Sequence, residues 1–264
     1  MSRKQKLIIL ICAVILGVAL LILPKLKYYY GAFQKSSNTA AVVIYLSGKE
    51  HVLDVKYVAH LLQENGVISN TDLFELVGSE KEMTPRNIAP GKYRIEPGTA
   101  YRHIWNGFTL NSELNGNAEQ TVEVNFENCR NIHDLAGKLQ KQLDLDSTAF
   151  IAHLQNGQTL TSLGFTLEQL PALFIPNTYD MYWDQTPAQF VERMAKEFKN
   201  FWTPARMEKL KTVGLNAPSE AVTLASIVYS EQSRRAEEWP IIAGLYLNRI
   251  RQGIKLQSDP TFKF

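Results

Sequence analysis

The chain has 264 residues, of which 45% are hydrophobic and 20% charged, enough for one large or two small globular domains. Its 15 Gly, 11 Pro and 2 Cys exclude a collagen, a disordered chain and a disulfide-stabilised scaffold. Five of the 28 basic residues lie among the first 30 residues, which hold no acidic residue, so the remainder carries 23 basic against 26 acidic residues. Because nucleic-acid binding requires a basic surface, we expect no nucleic acid as a partner.

An uninterrupted apolar segment occupies residues 7–23 and predicts a transmembrane helix, at the short end of what spans a hydrocarbon core of about 30 Å. A cleaved signal peptide is the alternative, but no small-x-small cleavage site follows the segment. Three basic residues precede it, and the positive-inside rule keeps that end in the cytoplasm. The sequence therefore predicts an uncleaved single-pass anchor over residues 1–30, tyrosines 28–30 at the opposite headgroup layer, and the rest of the chain outside the cytoplasm.

Short strands and amphipathic helices alternate in the next part of the chain. Strands are predicted at residues 41–46, 91–95 and 121–126, and helices at residues 52–65, 71–76 and 132–143. The polar segment 111–120 is expected to form a surface loop. The first strand, two helices and returning strand have the order of a LysM-like carbohydrate-binding module. A generic α+β spacer explains the same pattern.

A mainly helical region follows a boundary near residue 145. Helices are expected at about 147–155, 166–170, 187–200, 204–212, 218–233 and 237–252. The predicted fold class is α+β. Its parts are a cytoplasmic tip and transmembrane helix over residues 1–30, a LysM-like α+β module over 40–145, and a helical catalytic domain over 146–264.

Glu231 is the acidic residue whose position points to chemistry. It follows Leu224, Ile227 and Val228 by 7, 4 and 3 residues, so all four side chains share a helix face. A carboxyl at the edge of an apolar surface loses hydration, which raises its pKa and allows it to act as a general acid. The alternative is a solvated Glu at a helix end that pairs with Arg234 or Arg235.

Other polar residues gather after this helix. Asn248 interrupts an apolar helix face, where it either contacts substrate or joins the helix to a loop. The segment LQSDPT at residues 256–261 is expected to be extended, because Pro260 disfavours helix at Asp259. Its polar side chains either line a groove or, for Asp259, cap a turn. The five histidines show no metal-binding spacing, and no phosphate-binding loop or dinucleotide fingerprint is present.

Ordered motifs in this region resemble the signature of the MltG (YceG-like) endolytic murein transglycosylases. In that family an A-S-I-V-x-x-E run precedes E-x-P-x-x-A, F-x-N-R-L and L-x-(S/T)-D-P-T, and an F-P-(D/N)-T-Y element lies upstream. The corresponding segments here are LASIVYSEQS at 224–233, EWPIIA at 238–243, LYLNRI at 245–250, LQSDPT at 256–261 and FIPNTY at 174–179.

The resemblance implies cleavage of the β-1,4 bond between N-acetylmuramic acid and N-acetylglucosamine within glycan strands. The catalytic acid of the family matches Glu231, which protonates the glycosidic oxygen and then takes the proton of the muramoyl C6 hydroxyl. That hydroxyl closes on C1 and leaves a 1,6-anhydro end, so a second carboxylate is dispensable. Substrate-binding or positioning roles are implied for the matching residues Glu238, Asn248, Gln257 and Asp259. No metal or cofactor is implied.

Two departures from the family pattern accompany the resemblance. Pro171-Ala172 stands where many relatives have an acidic residue and a Gly, and the sequence stops at Phe264, where relatives continue. We expect a C-terminally incomplete catalytic domain in the periplasm, tethered to the cell inner membrane, with glycan strands and peptidoglycan synthases as partners. A non-catalytic wall-binding or cell-division scaffold, and a hydrolysing muramidase with a second carboxylate, are the alternatives.

Overall fold

The computed structural model describes residues 3–109 and 119–259, so most of the predicted loop at 111–120 and the end of the LQSDPT segment lie outside the described residues. The chain divides into two compact units. Unit 1 comprises Met1–Val122 and Met181–Asp184, and unit 2 comprises Glu123–Asp180 and Gln185–Phe264. The fold is mixed α and β and mostly helical, with two-stranded sheets, which confirms the coarse class predicted from the sequence.

Unit 1 begins with a long helix and continues with two strands that enclose two short helices. Its elements are α1 (Arg3–Phe33), β1 (Val42–Leu46), α2 (Val55–Glu64), α3 (Thr71–Glu80), β2 (Gly91–Ile95) and α4 (Tyr101–Gly107). Strands β1 and β2 pair antiparallel, from Val42 opposite Ile95 to Leu46 opposite Gly91. The order β, α, α, β agrees with the sequence prediction.

Local side-chain chemistry sets the helix starts in unit 1. Asp54 and Asn70 each accept a backbone N–H of the first turn, which satisfies a donor that the helix itself leaves free. The α2 helix therefore begins three residues later than its apolar pattern alone predicts. Trp105 packs on Phe74 with ring centroids 4.5 Å apart and donates its indole N–H to the Phe74 carbonyl, which joins α4 to α3.

The first helix extends ten residues beyond the apolar segment predicted from the sequence. It continues through Pro24 to Phe33. Within the described residues, Leu10–Phe33 is the one helix long and apolar enough to cross a bilayer, with a mean hydropathy of 2.3. This helix fits either a membrane anchor or a signal sequence.

Unit 2 is built around aromatic side chains and ends in the helices that carry the candidate site. The elements after unit 1 are β3 (Thr121–Asn125), α5 (Ile132–Gln140), α6 (Ser147–Leu154), α7 (Gly157–Leu163), β4 (Thr178–Tyr182), α8 (Pro187–Phe201), α9 (Pro204–Thr212), α10 (Pro218–Glu231) and α11 (Trp239–Arg251). Strand β3 pairs with β4. Phe126, Phe150 and Phe190 form ring contacts in the core.

Four elements differ from the sequence prediction in kind rather than in length. A helix was predicted at residues 166–170, but a turn leads there into a single 3-10 turn, Leu170–Leu173, because Pro171 interrupts α-helical hydrogen bonding. The short elements α4, α7 and β4 were not predicted. Helix α4 has Ala100 at its N-cap, with no side-chain hydrogen bond, so its sequence carries no start signal.

Candidate active site

Glu231 is the last residue of α10. Pro218 occupies the first turn of that helix, where its missing N–H costs nothing, and the helix ends before Gln232, whose φ and ψ are −142° and 87°. Ile227 and Val228 of α10 are buried against Tyr246 of α11, with Leu224 packed beside them. The shared apolar face predicted from the sequence is thus present, and Glu231 continues it at its C-terminal end.

Two hydroxyl groups converge on one carboxylate oxygen of Glu231. The Tyr246 hydroxyl donates to Oε1 across 2.7 Å, and the Ser258 hydroxyl donates to the same atom across 2.5 Å. Both donors are buried, with Tyr246 4% and Ser258 1% exposed. One oxygen of the carboxyl is therefore held by protein donors.

The segment after α11 folds back to bring Ser258 to this point. Gly253 has a φ of +68° and ends the helix, and the backbone N–H of Ile254 donates to the Arg249 carbonyl across 2.9 Å. Arg249 also donates to the Leu256 carbonyl, which holds the returning chain against its own helix. Leu256 packs on the Ile227 cluster. The backbone next to Ser258 is unusual, since Gln257 has a φ of +52°, a left-handed conformation that non-glycine residues seldom adopt.

The carboxyl of Glu231 is more accessible than the apolar pattern predicts. The residue as a whole is exposed, whereas the sequence suggested a recess that removes the carboxyl from water. The physical reason is its position, because α10 ends at this residue and the chain turns away immediately after it. An exposed carboxyl with one tethered oxygen is open to a large substrate.

Tyr246 is poised to remain a proton donor to Glu231. Burial raises the pKa of the Tyr246 hydroxyl above its usual value, and the nearby Glu231 carboxylate adds to the rise. The Ser258 hydroxyl and the Arg249 guanidinium oppose it. The net rise keeps the phenol protonated at neutral pH, so its O–H is available to the carboxylate.

Glu238 stabilises the loop between α10 and α11 through two side-chain hydrogen bonds. Its Oε2 accepts from Gln232 Nε2 across 3.0 Å, and its Oε1 accepts from Arg235 across 3.0 Å. These hydrogen bonds, that from Arg235 above all, lower the pKa of Glu238. Arg235 was one of the partners considered for Glu231, but in the structure it pairs with Glu238. The indole N–H of Trp239 donates to the Gln232 carbonyl across 2.6 Å and closes the loop.

The remaining residues singled out by sequence lie on the surface around this core. Asn248 is exposed, and its side-chain oxygen accepts from Arg251 across 3.3 Å. Gln257 and Asp259 are also exposed, on either side of the buried Ser258. The structure thus places both residues beside a donor to Glu231. Their roles toward a substrate stay predictions.

Tyr246 and Ser258 were missed as functional residues by sequence reasoning. Tyr246 falls on the apolar stripe of α11 and looks like a core residue, and Ser258 is one of several polar residues in its segment. A usable signal did exist, because a tyrosine at a buried helix position must place its hydroxyl against a polar partner. That partner is the carboxyl of Glu231.

An apolar groove of about 650 Å³ lies on unit 2 next to the site. Helix α10 contributes Val228 and Tyr229 to its lining, and α11 contributes Trp239 and Ala243. Glu231 is not among the lining residues. Because the groove does not include the acid, no subsite is assigned to it.

Metal ligands do not gather in the described part of the chain. Within residues 3–109 and 119–259, no group of three His, Cys, Asp or Glu side chains is arranged to hold a metal ion. The expectation that the reaction requires no metal or cofactor stays a prediction.

A family model matches this chain across the site just described. The model is that of the YceG-like family, and it covers residues 53–264. The chain belongs to the YceG-like family. Since this match spans both helices and the segment that carries Ser258, the resemblance drawn from the motifs is confirmed.

Two further comparisons accompany the assignment to the YceG-like family. The fold resembles the crystal structure of the yceG-like protein lmo1499 from Listeria monocytogenes, with a TM-score of 0.49 and 16% sequence identity, over 85% of this chain and 75% of that one. No curated protein matches this YceG-like chain.

Proposed function

We propose that this YceG-like protein is an endolytic peptidoglycan lytic transglycosylase with Glu231 as its acid and base. The bond cleaved is the β-1,4 linkage between N-acetylmuramic acid and N-acetylglucosamine, and the product carries a 1,6-anhydro end. The observation that carries the proposal is the convergence of Tyr246 and Ser258 on Glu231 Oε1. Three of the ordered family motifs thereby meet at one carboxyl group.

The proton transfers follow from which carboxylate oxygen is occupied. Oε1 accepts both hydroxyls, so Oε2 is the atom assigned to the substrate. In the first half, Oε2–H protonates the glycosidic oxygen while the bond from C1 to that oxygen breaks. In the second half, the muramoyl C6 hydroxyl forms its bond to C1 and returns its proton to Oε2. No water is consumed, and Glu231 regains its starting state.

The tethered oxygen serves both halves of this cycle. Hydroxyl donors orient the carboxyl in either protonation state, because Oε1 remains an acceptor when Oε2 carries the proton. They also stabilise the carboxylate that exists between the two transfers. A single carboxyl therefore suffices, since the substrate supplies its own nucleophile.

Four further residues are proposed to assist the substrate. Glu238 holds the loop that follows Glu231 and so positions the acid. The exposed residues Asn248, Gln257 and Asp259 are assigned to sugar hydroxyl and acetamido groups, because amide and carboxylate side chains next to the acid match such groups.

The rest of the chain is proposed to hold this site close to the peptidoglycan. The apolar part of α1 serves as an uncleaved inner-membrane anchor with the remainder in the periplasm, and residues 40–145 form a LysM-like module. The catalytic domain is proposed to occupy residues 146–264. Peptidoglycan synthases are the proposed partners, since the bond cleaved lies in newly made strands.

Product analysis with the full chain in detergent tests the proposed chemistry. Incubation with intact sacculi is expected to release fragments with anhydro-muramoyl ends. Glu231→Gln retains an Oε1 acceptor for Tyr246 and Ser258 but loses the transferable proton, so a drop in rate of about 10²-fold or more is expected. Glu237→Gln, an exposed neighbour, is the matched control and should cleave at the parental rate.

Other outcomes identify the alternatives. New reducing ends instead of anhydro ends would show a hydrolysing muramidase. Sacculi left unchanged by the parent chain would favour a wall-binding or division scaffold. Undiminished product from Glu231→Gln would remove this residue from the mechanism.

A further inference from the structure

The anchor helix passes into unit 1 without a linker. The last two turns of α1 belong to the core of unit 1, where Ala32 is 3% exposed and Tyr28 packs on the same cluster. A Cβ at Gly31 would lie 3.1 Å from Val77 Cγ2 and 3.2 Å from the Leu73 carbonyl oxygen, so α1 and α3 are in close contact. The position of α1 in a bilayer therefore also sets the distance of the rest of unit 1 from the membrane surface.

The chain that follows α1 is tied down as well. The backbone N–H of Ser36 donates to the Thr99 carbonyl across 2.8 Å, and that of Tyr101 donates to the Gln34 carbonyl across 2.9 Å. Lys35 forms a β-bridge with Ala100. The first residues after the helix are therefore fixed against the start of α4, and no flexible segment separates the helix from the folded unit.

Helix geometry places these contacts at the level of lipid headgroups. A hydrocarbon core of about 30 Å takes about 20 helical residues, which corresponds to residues 7–26. Tyr29, Tyr30 and Phe33 then follow within about 5 to 10 Å of the hydrocarbon boundary. The headgroup layer is about 5 to 8 Å thick on each side, so Tyr29 and Tyr30 lie within it and the backbone of Phe33 lies about 2 Å or more beyond it.

The side chains at this level suit a lipid interface. Tyr29, Tyr30 and Phe33 are 59%, 65% and 56% exposed, although they are large and aromatic. The Arg102 guanidinium lies over the Phe33 ring, 4.2 Å from its centroid, and Lys35 is exposed next to it. Aromatic rings and basic groups are the side chains enriched where protein meets headgroups, because the rings enter the interface and the cations attract phosphate.

We infer that unit 1 rests directly on the bilayer through a headgroup patch made of Tyr29, Tyr30, Phe33, Lys35 and Arg102, whose occupants are the phosphate-bearing headgroups of the membrane. The inference rests on the anchor proposed above and is independent of the glycan chemistry. It makes unit 1 a fixed platform at the membrane surface.

Depth-dependent fluorescence quenching of the full chain in lipid vesicles tests this inference. Cys12 and Cys129 are free thiols and are replaced by Ser, and a bimane label is then placed through Phe33→Cys, Leu20→Cys or Glu50→Cys. Leu20 is an exposed position within the apolar part of α1. Glu50 is exposed in the turn that follows β1 and is not part of the proposed patch, so it carries the comparison label.

Lipids that carry a nitroxide on the headgroup are expected to quench the Phe33→Cys label about threefold more than the Glu50→Cys label. Lipids with a nitroxide deep in the acyl chain are expected to quench Leu20→Cys most. A label at Lys35→Cys repeats the headgroup-quenching measurement while the Phe33 ring beneath Arg102 is retained. The same excess of quenching over Glu50→Cys is expected.

Two results would overturn the inference in different ways. Weak headgroup quenching at Phe33→Cys, no greater than at Glu50→Cys, with Leu20→Cys still quenched from the acyl chain, would mean that unit 1 stands away from the membrane. Loss of acyl-chain quenching at Leu20→Cys would remove the anchor and the patch together. Neither result alters the sacculus assay with Glu231→Gln, so the two proposals fail separately.

Discussion

The Tyr246 hydroxyl reaches Glu231 Oε1 across 2.7 Å from a different helix, which begins eight residues after Glu231. The tyrosine is buried against Ile227 and Val228, so its ring has one orientation and its hydroxyl one position. Tyr246 does not lie on the exposed side of the carboxyl. In the proposed reaction it therefore acts through Glu231, as a positioning residue.

Tyr246→Phe is expected to lower kcat about tenfold and to leave KM unchanged. The ring retains its packing while one hydrogen bond to the acid is lost, which corresponds to about 1.4 kcal/mol. Steady-state release of anhydro-ended fragments measures the change. Tyr229→Phe is the matched control, because that hydroxyl contacts Asn128 and not the acid. A KM effect as large as the kcat effect would contradict the positioning role.

Ser258→Ala is expected to lower kcat by a similar factor. In the double variant with Tyr246→Phe, the loss in kcat is expected to be smaller than the product of the two single losses. Both hydroxyls donate to one oxygen, so each single change disturbs the same group. A double-mutant cycle on kcat measures the coupling, about 1 kcal/mol. Ser258→Thr retains the hydroxyl and should restore activity. Strictly multiplicative losses would argue for two independent roles.

Glu119 makes the stability of unit 1 dependent on pH. Burial raises its pKa from 4.5 to about 8, and the charge of Asp184 and a hydrogen bond between the two carboxyl groups add to the rise. Between pH 4.5 and about 8 the folded chain holds a proton that the unfolded chain has lost. The free energy of unfolding of unit 1 is therefore expected to fall as the pH rises through this window.

Glu119→Gln should remove this dependence, because the amide never ionises. Thermal unfolding between about pH 5 and about pH 9 measures the slope, with the largest gain for the variant expected at the alkaline end. Glu80→Gln changes an exposed side chain of the same unit and serves as the control. Parallel pH curves for the parent and Glu119→Gln would show that this carboxyl is not the titrating group.

Two helical glycines should respond to alanine with opposite signs. A Cβ at Gly78 in α3 would lie 2.6 Å from Trp105 Cζ2, so Gly78→Ala is expected to destabilise by about 1 to 3 kcal/mol. A Cβ at Gly137 in α5 meets nothing within 4 Å, and Gly137→Ala is expected to stabilise by about 0.5 to 1 kcal/mol. Denaturant unfolding measures both. Stabilisation by Gly78→Ala would refute the close packing of α3 on Trp105.

The elements predicted from the sequence are those whose signals are local. Helix α10 is predicted from its apolar spacing, and α11 from Pro240 in its first turn and Gly253 at its end. Strand β4 was missed because its five residues pair with a strand more than fifty positions earlier, and only that partner makes them a strand. Helix α1 was predicted too short, because Pro24 normally ends a helix while packing on α3 extends this one.

Of the three residues that meet at the carboxyl of the candidate site, only one was predicted, because only that residue has a signal in the local sequence. Glu231 stands out by its spacing from buried residues of its own helix. Its two donors lie 15 and 27 residues away, so their convergence depends on the tertiary fold. The exposure of Glu231 also depends on where α10 ends, and apolar periodicity fixes helix ends less well than helix faces.

The Glu231 carboxyl and its two hydroxyl donors, Tyr246 and Ser258, come from three segments of the chain that meet only after unit 2 has folded. A newly made or proteolytically opened chain has the carboxyl but neither hydroxyl in place. If the proposed chemistry holds, such a chain is expected to be inactive on glycan, and disruption of unit 2 is expected to abolish cleavage.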